Sequence, residues 1–112
     1  REKHEKRGGT LMIVRIWRGV TPAEKAEEYL AYLMETGVKD YRAVPGNRDV
    51  QILYRTYEGK TEFLILSFWE SYEAIRAFAG DDLEQSVYYD RDKDYLLEME
   101  PKVLHYELAT SR

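Results

Sequence analysis

Cysteine is absent from the 112 residues, and three kinds of chemistry go with it: a disulfide framework, a thiolate metal site and a cysteine nucleophile. Histidine is scarce, with two in the chain, so metal ligation would rest on those two and on carboxylates. An excess of basic charge is also missing. The formal net charge is −4 and the lysines and arginines are scattered among carboxylates, without the basic stripe by which a nucleic-acid binder neutralises phosphates. No apolar run reaches membrane-spanning length, and the N-terminus lacks the apolar core of a secretory signal. The expectation is therefore a cytoplasmic protein with neither nucleic acid nor membrane as partner. Glycine-rich phosphate loops, a nucleophile elbow and the clustered ligands of a non-haem iron triad are lacking as well. The acidic runs Asp81-Asp82 and Asp90 to Asp94 do not have the glycine-centred spacing of a calcium loop and read as solvated loop charge.

What is present is the composition of one globular domain, 44% hydrophobic and 34% charged, with ten tyrosines and two tryptophans that need packing or a cavity to face. Residues 1–9, REKHEKRGG, contain no apolar side chain. They are expected to form a disordered extension, His4 included, ahead of a single domain over residues 10–112.

Leu11 to Arg18 alternates with period two and predicts a first strand, with Ile13, Arg15 and Trp17 on one face. Thr21-Pro22-Ala23-Glu24 has the form of a capping box with proline at the first helical position, and Ala26, Tyr29, Leu30 and Leu33 follow at helical spacing until Gly37. Val38 to Asp49 reads as a connection containing the turn cluster Pro45-Gly46-Asn47. Val50 to Tyr57 and Thr61 to Trp69 flank Glu58-Gly59-Lys60 and predict an antiparallel hairpin. Ser71 can cap a helix carrying Ala74, Ile75, Phe78 and Ala79 before Gly80, with a short restart from Asp81-Asp82 through Tyr88. Lys102 to Leu108 supplies the last strand.

The order βαββαβ predicts a ferredoxin-like α+β fold, a four-stranded antiparallel sheet with both helices on one face. In the strand phasing adopted, Ile13, Trp17, Phe63, Ile65 and Trp69 lie on the face away from the helices. So much exposed apolar surface calls for a second copy of the chain, and the expectation is a homodimer whose sheets pack into a barrel around a cavity.

Trp17-Arg18-Gly19 with Thr21-Pro22-Ala23, Ser67-Phe68-Trp69-Glu70-Ser71 with Glu73 to Gly80, and Val103 to Glu107 resemble the antibiotic biosynthesis monooxygenase family of dimeric α/β barrels, over nearly everything after Gly9. The resemblance implies the same fold and dimer. It also implies a choice of chemistries, since the family includes cofactor-independent quinone-forming oxygenases and haem-degrading enzymes, besides members of unassigned activity. Haem-degrading relatives bind iron through a histidine on the second helix, and Ser71 to Tyr89 contains none. Haem is thereby disfavoured; Tyr88 and Tyr89 are the remaining candidate iron ligands in that segment.

Strand parity groups Arg15 and Trp17, then Phe63, Ile65, Ser67 and Trp69, then Val103, His105 and Glu107, a mixture of polar groups and indoles suited to a planar organic molecule. His105 is the candidate base, removing a phenolic or enolic proton so that the substrate can react with dioxygen without metal or prosthetic group. Trp69 is the candidate pocket wall. Arg15 can hold a carboxylate or enolate oxygen, or pair with Glu107. Trp17, Ser67, Ile65, Phe63 and Tyr72 are the candidate substrate contacts, and helix or interface packing is the alternative for each aromatic. The expected function is a cofactor-independent monooxygenase acting on a small aromatic or polyketide-like compound. A non-catalytic dimeric binding or stress-related barrel is the alternative.

Overall fold

The computed structural model describes residues 12–109. The extension expected over residues 1–9, with His4, and the first residue expected in a strand, Leu11, lie outside the described residues. β1 spans Ile13–Pro22. It outruns its expected end because Gly19, Val20, Thr21 and Pro22 stay in antiparallel register with Phe63, Glu62, Thr61 and Lys60. The capping box is consequently not made: Thr21 stays buried in the sheet and its Oγ1 donates to the Pro22 carbonyl at 2.9 Å. A 3₁₀ turn, Ala23–Lys25, then leads into α1, Ala26–Glu35.

Helix α1 buries Tyr29 and Leu33, with Ala26 and Leu30 partly buried on the same core. Gly37 does not end the helical region; it opens α2, Gly37–Ala43. Val38 and Tyr41, three residues apart, give this short helix an apolar edge that docks on the core, where the sequence reads as a loop.

Strands β2, Asn47–Tyr57, and β3, Lys60–Trp69, form the hairpin. Its two-residue turn places Glu58 at φ 52° and Gly59 at φ 78°, the left-handed pair that matches strand twist. Ser71 caps α3, Tyr72–Ala79, its Oγ accepting from the Ala74 N–H at 3.1 Å, and Gly80 ends that helix at φ 89°.

The helix restart expected after Asp81 does not form. The backbone of this segment instead pairs outward with the chain ahead of the last strand: Ser86 N–H donates to the Pro101 carbonyl at 2.9 Å and Val103 N–H to the Glu84 carbonyl at 2.8 Å. Of the expected last strand, Lys102 to Leu108, residues 104–107 pair, and a two-residue strand outside that range is added ahead of Pro101. β4, Glu98–Met99, and β5, Leu104–Glu107, are separated around Pro101 and pair with successive stretches of β1. The sheet order is β2-β3-β1, with β4 and β5 both on the far edge of β1, and every pairing is antiparallel. This is the ferredoxin-like α+β arrangement, with the helices on one face.

The orientation of that sheet is the reverse of the one expected. Ile13, Arg15 and Trp17 of β1 and Phe63, Ile65, Ser67 and Trp69 of β3 point into the helical layer and are buried there. Trp69 packs edge-on to Tyr41 of α2 with centroids 6.1 Å apart, and Phe63 edge-on to Tyr29 of α1 at 5.5 Å. These residues cannot line a space between two sheets. The aromatic parity occupies the side where one chain alone can cover it. The bare face carries the other parity: Ile16, Leu64, Leu66 and Phe68, half-buried, with Leu53, Leu104 and Tyr106 exposed.

Candidate functional site

Register places a polar row across three strands on the helix-facing side. His105 of β5, Arg15 of β1 and Ser67 of β3 are successive cross-strand partners. One step along, Ile13 pairs with Trp69; one step the other way, Trp17 pairs with Ile65. The tryptophans thus bracket the arginine. Trp17 lies back over its own strand, and a Cβ on Gly19 would come within 2.5 Å of the indole Cη2, so only glycine leaves room for it.

Arg15 is the centre of the row. Its side chain is fully buried, and among the described residues no carboxylate pairs with it. Nη1 donates to the Tyr41 hydroxyl at 3.3 Å and Nη2 to the Gln85 carbonyl at 3.1 Å, while Phe78 of α3 presents its ring 5.3 Å from Cζ. Burial lowers the proton affinity of the guanidinium, and Tyr41 offsets part of that effect. The alternative Arg15–Glu107 pair does not form, because Glu107 stands across from Ile13. Ser67 Oγ donates to the Arg15 carbonyl at 3.4 Å, a long bond.

Among the described residues, four buried nitrogens in this region have no hydrogen-bond partner: Arg15 Nε, Trp17 Nε1, Trp69 Nε1 and His105 Nε2. Buried polar atoms are ordinarily satisfied, so four within adjoining positions of one sheet face mark the place as unusual. His105 is half-buried, meets Tyr72 edge-on at 5.9 Å, and has its pKa pushed down, first by burial and then by the Arg15 charge. Tyr72 is itself held protonated by burial and by Glu107.

The structure therefore brings Arg15, Ser67, Trp69, His105, Tyr72 and Trp17 to one region. Phe63 and Ile65 continue along the strand, and Phe63 instead lines a solvent-open cleft of about 410 Å³ between α1 and Tyr54 of β2. The space beneath α1 and α2, bounded by Trp17, Tyr41, Ile65 and Asp92, is narrow and measures about 10 Å³, room for a single water.

Three contributors went unread in the sequence. Tyr41 was hidden in the segment taken for a loop, and the Gln85 carbonyl is a backbone group with no sequence signal. Asp92, in the run read as solvated charge, is buried: it accepts from Tyr29 Oη at 2.8 Å and from the Tyr89 N–H at 2.6 Å, and burial raises its pKa. Its acceptor bonds pin the irregular segment 84–96 to α1. Tyr89 adds to this by donating to Asp40 at 2.6 Å, and Tyr88 by donating to the Glu100 carbonyl. Both hydroxyls, the remaining candidate iron ligands, are thus engaged in holding the segment down.

Among the described residues no group of three or more His, Asp or Glu side chains could hold a metal, and no helix is long and apolar enough to cross a membrane. A haem group does not fit the donors present. The segment over the sheet, Ser71 to Tyr89, has no histidine; His105 is on an edge strand beside a buried cation, and Tyr89 Oη is bonded to Asp40.

The class is that of ferredoxin-like α+β domains, here with an arginine, a histidine and two indoles on the sheet face that the helices cover. Residues 12–83 match the family model for antibiotic biosynthesis monooxygenases, more than half of the chain, and the protein belongs to that family. No protein of curated function matches its sequence. Solved structures share the fold. A presumed antibiotic biosynthesis monooxygenase from Nitrosomonas europaea superposes with a TM-score of 0.64 at 19% identity, over 89% of this chain and 92% of that one. One from Bacillus cereus gives 0.61 at 15%, over 93% and 98%. A haem-degrading protein from Mycobacterium tuberculosis, solved free of haem, gives 0.59 at 20%, over 93% and 98%.

Proposed function

We propose that the protein is a monooxygenase that needs no metal or prosthetic group and acts on a small aromatic or polyketide-like compound bound between sheet and helices. The reading rests on family membership and on one observation: Arg15, Trp17, Trp69 and His105 occupy adjoining register positions on one sheet face, and each holds a buried nitrogen with no partner among the described residues. In this reading His105 is the base. Its depressed pKa keeps the imidazole neutral at neutral pH, with a lone pair free to take a phenolic or enolic proton. Arg15 holds the resulting oxyanion, and Trp69 and Trp17 bracket the plane of the ring. The electron-rich carbon then reacts with dioxygen. For an anthrone-like methylene the balance is closed without a co-reductant: CH2 and O2 give C=O and H2O, the carbon supplying all four electrons.

Entry is through the segment from Gly80 to Arg91, which carries neither helix nor long strand and lies over Arg15 through the Gln85 carbonyl. Its displacement supplies the room that the tightly packed interior lacks. The working unit is a homodimer formed through the bare sheet face, outside the chamber, and its setting is cytoplasmic.

The test is oxygen uptake by the purified protein with anthrone-like and quinol substrates. The expected result is catalysed uptake that His105→Ala lowers by roughly 10²–10⁴-fold and that Trp69→Phe also lowers. Uptake at the uncatalysed rate in the wild type and both variants removes the oxygenase. A second reading, a binding protein without catalysis, is favoured by the tight filling of the space beneath α1 and α2, which leaves about 10 Å³. Ligand binding without oxygen uptake would establish it.

A further inference from the structure

The interior holds a positive charge that no carboxylate among the described residues pairs with. Arg15 is fully buried, and a guanidinium keeps its proton in any protein environment. Burying such a charge is ordinarily tolerated only when an anion accompanies it. Among the described residues its two accepting partners are neutral, the Tyr41 hydroxyl at 3.3 Å and the Gln85 carbonyl at 3.1 Å, and Nε has none. The nearby carboxylates are otherwise occupied: Asp92 accepts from Tyr29 and Tyr89, and Glu84 reaches outward to Lys102 at 3.6 Å. The adjoining histidine is disfavoured from carrying charge by the same burial. Trp69 offers an apolar wall and an unbonded indole N–H on the neighbouring strand position.

We propose that Arg15 is a recognition site for an anion, and that the small molecule taken up by this protein is a planar aromatic acid or enolate whose charged oxygen displaces the Gln85 carbonyl. The proposal rests on the chamber described under the proposed function and narrows its substrate class. A neutral carbonyl is a weaker partner for a guanidinium than a carboxylate, which can take two parallel N–H donors. The exchange at Nη2, with Nε newly engaged, therefore favours the bound state. Releasing Gln85 also frees the segment that closes the chamber, so anion capture and opening are one event.

Two probes of nearly equal shape separate charge from stacking: anthracene-9-carboxylate and the neutral anthracene-9-methanol, each titrated at neutral pH against quenching of the protein's tryptophan emission. The expected result is at least tenfold tighter binding of the carboxylate by the wild type. Arg15→Gln should lose that preference, and Arg15→Lys, which keeps the charge but not the fork, should keep part of it. Equal affinities, or no binding of the carboxylate, in the wild type overturn the proposal whatever the variants do. A preference that survives in a folded Arg15→Gln protein overturns it too. Preference for the carboxylate without oxygen uptake from any substrate keeps the anion site and removes the oxygenase. Oxygen uptake from a neutral anthrone without any anion preference does the reverse.

Discussion

At the residue scale the interior is governed by two nitrogen bases that respond to burial differently. Arg15 keeps its charge and acts on its neighbour, while His105 gives way: desolvation first, and the guanidinium second, hold its pKa below the usual imidazole range of about 6.5. The sign of the consequence follows. As pH falls past about 6.5 the unfolded chain takes up the proton first, so stability declines with acidification until the pH passes the lower, folded value. Above that window His105 contributes no pH dependence. Melting temperatures measured between pH 7.5 and 5 should fall more in the wild type than in His105→Gln, and parallel curves would contradict the shift. The same depression bears on the reaction. With His105 as base, the acid limb of kcat/KM lies below about 6.5, and a limb above that value would assign the proton transfer to some other group.

At the scale of elements, capping decides where α3 begins. Ser71 Oγ accepts the Ala74 N–H at 3.1 Å, and removing that acceptor leaves an end of the helix that carries Phe78 over Arg15 without its side-chain bond. Ser71→Ala should cost about 1 kcal/mol and lower the melting temperature by about 4–8 °C; a shift under one degree would mean that the cap contributes nothing. This helix was legible because its signals are local: serine before, glycine after, and apolar residues at helical spacing between. The hairpin was legible for the same reason. The entry to α1 was not, because Thr21 had two uses, and ten residues of pairing with β3 outweighed one cap. Helix α2 escaped notice because Val38 and Tyr41 are too few to show a period. The orientation of the sheet was the largest error and has a plain physical source. β1 offers Ile13 and Trp17 on one parity and Val14 and Ile16 on the other; β3 offers Phe63, Ile65 and Trp69 against Leu64, Leu66 and Phe68. Strands apolar on both parities carry no mark of which side meets the helices. Alternation still grouped Arg15 with Trp17, and Ser67 with Trp69, so the composition of the candidate site could be read even though its location could not.

At the scale of the whole molecule the same double parity argues for a partner. Ile16, Leu64, Leu66 and Phe68 occupy the centre of the bare face, with Leu53 on one flank and Leu104 and Tyr106 on the other. Leu104 is 58% exposed and Tyr106 55%, exposures that a sheet face in water does not usually give to side chains of this kind in such number. Charge gathers at one end, where Arg18 joins Glu62 at 2.6 Å, Glu98 at 2.9 Å and Glu100 at 2.5 Å, and Arg55 joins Glu62 at 2.6 Å, while Asp49 stands across from Phe68 at the other end. The Arg55 and Arg18 bonds hold the Glu62 carboxyl below its ordinary pKa, so this end stays ionised and hydrated while the middle stays apolar. An apolar centre with a polar margin is the anatomy of a protein interface, and a second copy related by a two-fold axis would cover each centre with the other. The region around Arg15, facing the helices, would be left intact in both copies. Sedimentation velocity should therefore give a species of about twice the 13.3 kDa chain. Leu66→Glu, which puts a charge in the middle of the face, should shift it to the single chain while cooperative unfolding persists, because Leu66 supports none of the interior packing around Arg15. A wild type that sediments as a single chain at micromolar concentration would leave the apolar face without this explanation.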